Sequence, residues 1–226
     1  MFRFSRNTFL SFIFLLPMFA SAGVEIGGTR VIFDGGSKQA SISVSNPDDK
    51  PFLIQSWVNK KEDGDDNDET FITTPPLFRL EPHAQNSVRV VLNHNQLPQD
   101  KESVYWLNIK SIPSMNSSVN NELLIAVKSK MKLIYRPTGL SGDPATAWQK
   151  LIFSRKNGAL VVSNPTPYSV SFYDVKVNGK EIKNTPMALP GQEVSLGQNA
   201  SPGSKIRWRA INDFGSSTAE HEITLQ

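Results

Sequence analysis

The 226-residue sequence contains no cysteine and only three histidines. Without cysteine there is no disulfide, no thiol nucleophile and no cysteine-containing zinc site. The histidines His83, His94 and His221 stand apart without the spacing of metal ligands, so we expect no metal site. Whatever the fold is, its hydrophobic core alone must stabilise it.

Only one long apolar run is present, and it lies near the N-terminus. Residues 1–22 open with two arginines, continue with an apolar stretch over 9–19 and end in Ala-Ser-Ala, a pattern that signal peptidase cleaves. The run is shorter than the roughly 20 residues that span a bilayer, which favours a signal peptide over a membrane anchor. We therefore expect an exported mature chain that begins at Gly23 and does not insert into the membrane.

Excess charge of one sign is also absent. The net charge of +3 falls to +1 once the two arginines of the signal peptide are removed, so we expect no nucleic-acid partner. The acidic segment 61–69 lacks the glycine and glutamate positions of an EF-hand, and a solvated loop is the preferred interpretation. No nucleophile elbow or phosphate-binding glycine loop occurs. A glycosidase-type pair of catalytic carboxylates contributed by distant strands is an alternative that the sequence leaves open.

Short alternating runs of apolar and polar residues fill the rest of the chain, separated by clusters of Gly, Pro, Asn and Asp. The pattern predicts an all-β chain. Residues 138–148 have the composition of an interdomain linker, and similar Ser-Asn-Pro segments occur at 42–57 and 160–175. We expect two immunoglobulin-like β-sandwich domains, residues 23–140 and 141–226.

The segment 120–137, NNELLIAVKSKMKLIYRP, predicts one strand far longer than the typical length of about five or six residues. Alternation places Leu123, Ile125 and Val127 on one face. Before Lys128 both faces are apolar, and an open edge of this kind invites pairing with another chain. We hypothesise that this pairing is the function.

Six segments in this order resemble the periplasmic pilus (fimbrial) chaperones of the chaperone-usher pathway. They are GTRVIFDGG (28–36), TPPLFRLEP (74–82), LPQDKESVYWLNIKSIP (97–113), KMKLIYRP (130–137), NPTPYSVSF (164–172) and INDFG (211–215). The resemblance covers nearly all of the mature chain. It implies two sandwich domains in a boomerang arrangement, a periplasmic location, no cofactor and no enzymatic activity.

Such a chaperone lends its long strand to a pilus subunit that lacks its own last strand, and delivers the subunit to an outer-membrane usher. The resemblance thus implies that Leu123, Ile125 and Val127 contact the subunit. A second interpretation, that these side chains belong to the core of the first domain, stays open because a buried strand is also an apolar run.

Arg30 and Lys132 match the family's cleft residues that hold the C-terminal carboxylate of the subunit. A guanidinium fork and an ammonium group suit that role. Solvated surface charges are the alternative. Alternation places Lys132 on the opposite face of the strand from the three apolar residues. Twist or a bulge near Ser129 would be needed to bring all four to one face.

Glu102, Arg136 and Asp213 match a charged link between the two domains of the family. Lys101 stands where the family commonly has arginine, which puts a bidentate contact at that position in doubt. The short connection 111–122, without cysteine, resembles the short-loop branch of the family.

Two other functions remain to be tested. A secreted carbohydrate-binding or glycan-processing sandwich would use the four tryptophans for sugar stacking, although alternation favours core positions for all four. A pilus subunit fits poorly, because two domains and a surplus strand suit a donor. Whether the free protein covers its own edge by pairing into a dimer stays open.

Overall fold

The computed structural model describes residues 23–64, 69–94, 96–115 and 123–226. The predicted signal peptide lies outside these residues, as does part of the acidic segment. Within them the chain is built from strands, with a single short 3₁₀ helix at Ala147–Lys150. The predicted all-β class is confirmed.

The N-terminal half forms two sheets around one core. Its strands are β1 (Glu25–Ile26), β2 (Arg30–Asp34), β3 (Gln39–Ser45), β4 (Phe52–Asn59), β5 (Phe71–Thr74), β6 (Leu77–Leu80), β7 (Gln85–Leu92), β8 (Ser103–Pro113) and β9 (Val127–Arg136). The sheets have the orders β1-β3-β7-β5 and β2-β9-β8-β4-β6. Their inward-facing apolar side chains, among them Phe33, Val88, Leu107 and Leu133, pack into one buried cluster.

The C-terminal half forms a second sandwich with its own core. Its strands are β10 (Ile152–Lys156), β11 (Ala159–Ser163), β12 (Ser171–Val177), β13 (Lys180–Glu181), β14 (Glu193–Asn199), β15 (Lys205–Ile211) and β16 (His221–Thr224). The sheets have the orders β10-β11-β14 and β13-β12-β15-β16. Trp148 and Trp208 are buried between them.

The repeated Ser-Asn-Pro segment has the same structural role in both halves. Asn46 and Asn164 are each 1% exposed. Each side-chain amide donates to main-chain carbonyls and each Oδ1 accepts the N–H two residues on, from Asp48 and Thr166. A buried amide that satisfies loop carbonyls in this way fixes the turn after the strand.

β9 is shorter than the sequence pattern predicts. The strand begins at Val127; residues 123–126 are described without strand pairing, and 120–122 lie outside the described residues. The pairing with β8 stops at Ser111↔Val127, so residues 123–126 have no strand partner among the described residues to bond with their backbone groups.

The register between β8 and β9 is unbroken over the described residues 127–135. The bulge near Ser129 that the sequence left open is therefore not there. Lys132 and Val127 lie on opposite faces of the sheet, as alternation alone requires.

The expectation that all four tryptophans are core residues is wrong for two of them. Trp57 and Trp106 are partly exposed on the outer face of the five-stranded sheet. Lysines of β9 lie over both rings, with Lys128 Nζ 4.8 Å from the Trp57 centroid and Lys132 Nζ 5.7 Å from that of Trp106. Both tryptophans occupy positions on β4 and β8 whose side chains point to the face opposite the core, because side chains alternate along a strand.

Candidate functional site

The two sequence-predicted anchor residues face each other across one pair of strands. β2 and β9 run parallel, with Arg30 aligned to Lys132. Val31 and Leu133, the next residues on each strand, point into the core. Arg30 and Lys132 therefore project from the same, outer face of the sheet.

Arg30 is held by the C-terminal domain. Its Nη1 donates to the carbonyl of Ile211 at 3.2 Å. Its Nε is buried and has no hydrogen-bond partner among the described residues. Burial lowers the pKa of Arg30 against the opposing effect of Asp213. A half-buried guanidinium with an N–H group to spare is suited to an anion.

Lys132 adds a second positive charge at the same place. Burial, and then the like charge of Arg30, lower the pKa of Lys132, and Glu62 opposes them. Two partly desolvated cations on one rung of the sheet repel each other, and a bound anion would offset this repulsion. The charge and burial of the pair are thus suited to a carboxylate or a similar group.

An open strand edge begins where this pair ends. β2 covers β9 only from Lys132 onward, so in the described structure residues 127–131 pair with β8 alone. The apolar side chains before that point are solvent-exposed: Leu123 is 83% exposed, Ile125 67% and Val127 54%. The interpretation that they belong to the core of the first domain is therefore wrong.

Glu102, Arg136 and Asp213 come together at the junction of the two domains. Arg136 Nε donates to Glu102 at 2.6 Å, and its two terminal nitrogens donate to both oxygens of Asp213 at 2.7 and 3.0 Å. The other Glu102 oxygen accepts the N–H of Ser169 at 2.6 Å. Three of these contacts cross between the domains.

The charges in this junction are strongly coupled. Burial raises the pKa of Glu102, while the Ser169 N–H and Arg136 lower it. Although burial opposes it, hydrogen bonds to Asp213 and the charge of Glu102 raise the pKa of Arg136. The carboxylate of Glu102, 4% exposed, is thus buried together with the partners that offset its desolvation.

Comparison with known proteins identifies the family. The chain matches the family "Pili and flagellar-assembly chaperone, PapD N-terminal domain" over residues 23–141 and "Pili assembly chaperone PapD, C-terminal domain" over residues 146–222. The chain belongs to the PapD family of pilus-assembly chaperones.

Individual relatives match across most of their length. The probable fimbrial chaperone LpfB of Escherichia coli O157:H7 is 43% identical over 210 residues, covering 90% of this chain and 89% of the relative. The chaperone protein FocC of Escherichia coli is 38% identical and covers 94% of each. A structure of the Salmonella enterica SafA pilin in complex with the SafB chaperone superimposes with a TM-score of 0.81 at 34% identity, covering 90% of this chain and 96% of that one.

Membership of this family confirms the predicted fold of two immunoglobulin-like sandwiches and the predicted chaperone function. Among the residues that the structure describes, no helix is long and apolar enough to cross a membrane. In the same residues no group of three or more His, Asp or Glu side chains could hold a metal ion. The family match favours the chaperone over the glycan-binding alternative, and each of the two partly exposed tryptophan rings has a lysine ammonium group over one face.

Sequence reasoning missed two parts of the site. The Ile211 carbonyl that holds Arg30 carries no side-chain signal, since any residue supplies one. Phe214 lies in the INDFG segment that supported the family resemblance, but only its neighbour Asp213 was given a role. Its 92% exposure is visible only in the structure.

Proposed function

We propose that this chaperone acts in the periplasm, where it binds pilus subunits by lending them the edge of β9 and delivers them to an outer-membrane usher. The observation that carries the proposal is the continuity of the site. The open edge of β9 and its exposed apolar side chains run directly into the rung that holds Arg30 and Lys132.

The strand order also sets the direction of the bound segment. β2 begins at Arg30 and runs parallel to β9. A subunit strand whose C-terminal carboxylate binds Arg30 and Lys132 would lie in line with β2 along the open edge, parallel to β9. Backbone pairing would then set the register, while Leu123, Ile125 and Val127 fill the groove of the subunit.

The apolar side chains are able to provide much of the affinity. Complete burial of each is worth roughly 1.5–3 kcal/mol, together on the order of 5–9 kcal/mol before the costs of ordering residues 123–126. Most of that surface is still exposed in the free chain. The carboxylate anchor would add specificity for a chain terminus.

The junction of Glu102, Arg136 and Asp213 has a structural role in this proposal. It fixes the angle at which the C-terminal domain presents Ile211 to Arg30. The division of the chain after residue 140 belongs to the same proposal, and limited proteolysis that yields fragments ending near this point would support it.

Co-purification from a bacterial periplasm tests the proposal. The mature chain is expressed with the pilus subunits encoded near it, captured, and its bound proteins are identified. We expect a stoichiometric subunit with the wild type, and none with Arg30→Ala or Lys132→Ala, because the carboxylate loses its charge-assisted hydrogen bonds.

Arg89→Ala is the matched control, since Arg89 is an exposed cation on β7, in the other sheet. Retained capture by a folded Arg30→Ala, Lys132→Ala double variant would contradict the anchor. Absence of any subunit from the folded wild type would contradict the chaperone proposal. The glycan-binding alternative would then be tested by calorimetry against a panel of glycans. Capture in buffer with EDTA and without nucleotide tests the expectation that no cofactor or covalent step is needed.

A further inference from the structure

Phe214 is displayed on a rigid turn of the C-terminal domain. Its side chain is 92% exposed. The Asn212 side chain accepts the N–H groups of both Phe214 and Ser216 at 3.0 Å, and the Asn212 N–H donates to the Ser216 carbonyl at 2.9 Å. The turn is therefore closed on itself, and the aromatic side chain projects from a fixed backbone.

The same turn is attached to the N-terminal domain on both sides of Phe214. Asp213 binds Arg136 through two hydrogen bonds. Gly215 has a φ of +86°, and a Cβ there would lie 2.5 Å from Oγ1 of Thr29, so only glycine allows this approach. Because Thr29 precedes Arg30, the position of Phe214 is fixed relative to the anchor.

A recess of about 240 Å³ lies between Phe214 and the anchor. Arg30, Ile134 and Arg136 line it on the side of the N-terminal domain, and the lining on the side of the C-terminal domain includes Trp148, Val170, Ile211, Asp213 and Phe214. The recess thus combines apolar and aromatic surface with the guanidinium of Arg30, since the other two charged groups that line it, Arg136 and Asp213, are paired with each other. A chain terminus with a carboxylate and an apolar side chain has the complementary chemistry.

We propose that Phe214 and this recess select the side chain of the last residue of the subunit. The carboxylate of that residue binds Arg30 and Lys132, and its side chain, aromatic or large aliphatic, packs on the Phe214 ring. This inference rests on the proposed function and adds a specificity determinant to it. The exposure of Phe214 in the free chain follows, since the ring is covered only when a subunit is bound.

Peptides that end as the captured subunit ends provide the test. In one series the last residue is Phe, Leu, Ala or Asp, each with a free carboxylate, and in a second each peptide carries a C-terminal amide. We expect the wild type to prefer Phe and Leu over Ala by about tenfold in Kd, a usual loss for a contact that anchors an interface. Phe214→Ala should abolish the preference and Phe214→Tyr should retain it.

The amide series separates the two hypotheses. If amides bind as well as free carboxylates, the anchor in the proposed function is wrong, and the inference is wrong with it. If amides bind weakly but Phe214→Ala keeps the wild-type preference, only the inference is wrong.

Tyr173→Ala is the control for Phe214→Ala, because Tyr173 is 56% exposed on β12 of the same domain and does not line the recess. It should leave every Kd unchanged. Sedimentation velocity checks the competing occupant, a second copy of this chain. If Phe214→Ala abolishes self-association without changing the terminal preference, Phe214 is a contact between copies and the inference is wrong.

Discussion

Arg30 and Lys132 place two partly buried positive charges on one rung of a sheet. Isolated, such a pair is unfavourable, since burial and the neighbouring charge both favour the neutral lysine. Because the two positive charges repel each other, the pair should bind an anion more strongly than either residue would alone. It also makes binding dependent on proton uptake.

The pKa of Lys132 gives a pH dependence with a defined sign. That pKa lies below the ordinary lysine value in the free chain, and a bound carboxylate raises it. Affinity for a peptide with a free C-terminus should therefore be constant below the pKa of free Lys132 and fall as the pH rises from there toward the pKa in the complex. Isothermal titration calorimetry at a series of alkaline pH values measures this change in affinity.

Lys132→Arg is the informative variant, because arginine stays protonated throughout this range. It should bind with little pH dependence, while Lys130→Arg, two residues away and paired with Asp63, should keep the wild-type profile. Equal slopes for all three proteins would show that Lys132 is not the group that takes up the proton.

At the level of the element, β9 and residues 123–126 before it continue one alternating pattern, but their side chains have different surroundings. Met131, Leu133 and Tyr135 are buried under the opposite sheet, whereas Leu123, Ile125 and Val127 are exposed. The strand thus supports the fold at one end and is available for pairing at the other.

Substitution separates the exposed stretch 123–127 from the buried part of β9. Replacement of Leu123, Ile125 and Val127 by serine should leave the free energy of unfolding unchanged and abolish capture of subunits, because these side chains contact little in the free chain. Leu133→Ala should lower the free energy of unfolding by about 2–5 kcal/mol. Urea unfolding and co-purification measure the two effects, and a destabilised triple-serine variant would contradict the assignment.

The sequence predicted the faces of β9 better than its ends. Alternation correctly separated Lys132 from Val127, because parity depends only on the chain itself. The beginning of the strand at Val127 depends on where β8 stops pairing, and no local pattern shows that. The roles of Arg30 and Lys132 came from family resemblance, since isolated charges in a sequence are usually surface residues.

At the scale of the whole molecule, two independent cores are joined by a few polar contacts. Each core is built from residues of one domain. The junction therefore depends on Glu102, Arg136, Asp213 and the main chain near Ser169. The relative position of the domains, and with it the anchor, depends on these contacts, on the hydrogen bond from Arg30 to the Ile211 carbonyl, and on the buried side chain of Ile134 at the recess between the domains.

Glu102→Ala should weaken this junction. It leaves Nε of Arg136 and the Ser169 N–H without their acceptor, at a cost of about 3 kcal/mol, while the terminal nitrogens of Arg136 keep their hydrogen bonds to Asp213. Scanning calorimetry should show the two domains unfolding in separate transitions where the wild type unfolds more cooperatively. Glu81→Ala removes a solvent-exposed pair with Arg79 and should change nothing measurable; a similar shift in both variants would exclude a special role for Glu102.

In the proposed complex, where the subunit's carboxylate binds Arg30 and Lys132, the parallel register of β2 and β9 sets the position of every residue of the bound strand by its distance from that C-terminus. From Lys132 back to Leu123 is nine residues, about 30 Å of extended chain. One residue added to the C-terminus of a subunit would turn every alternate side chain to the wrong face, whereas two would restore the faces and shift the match by one repeat. Capture should therefore suffer more from a one-residue extension than from a two-residue extension, an odd-even effect that a merely hydrophobic groove would not produce.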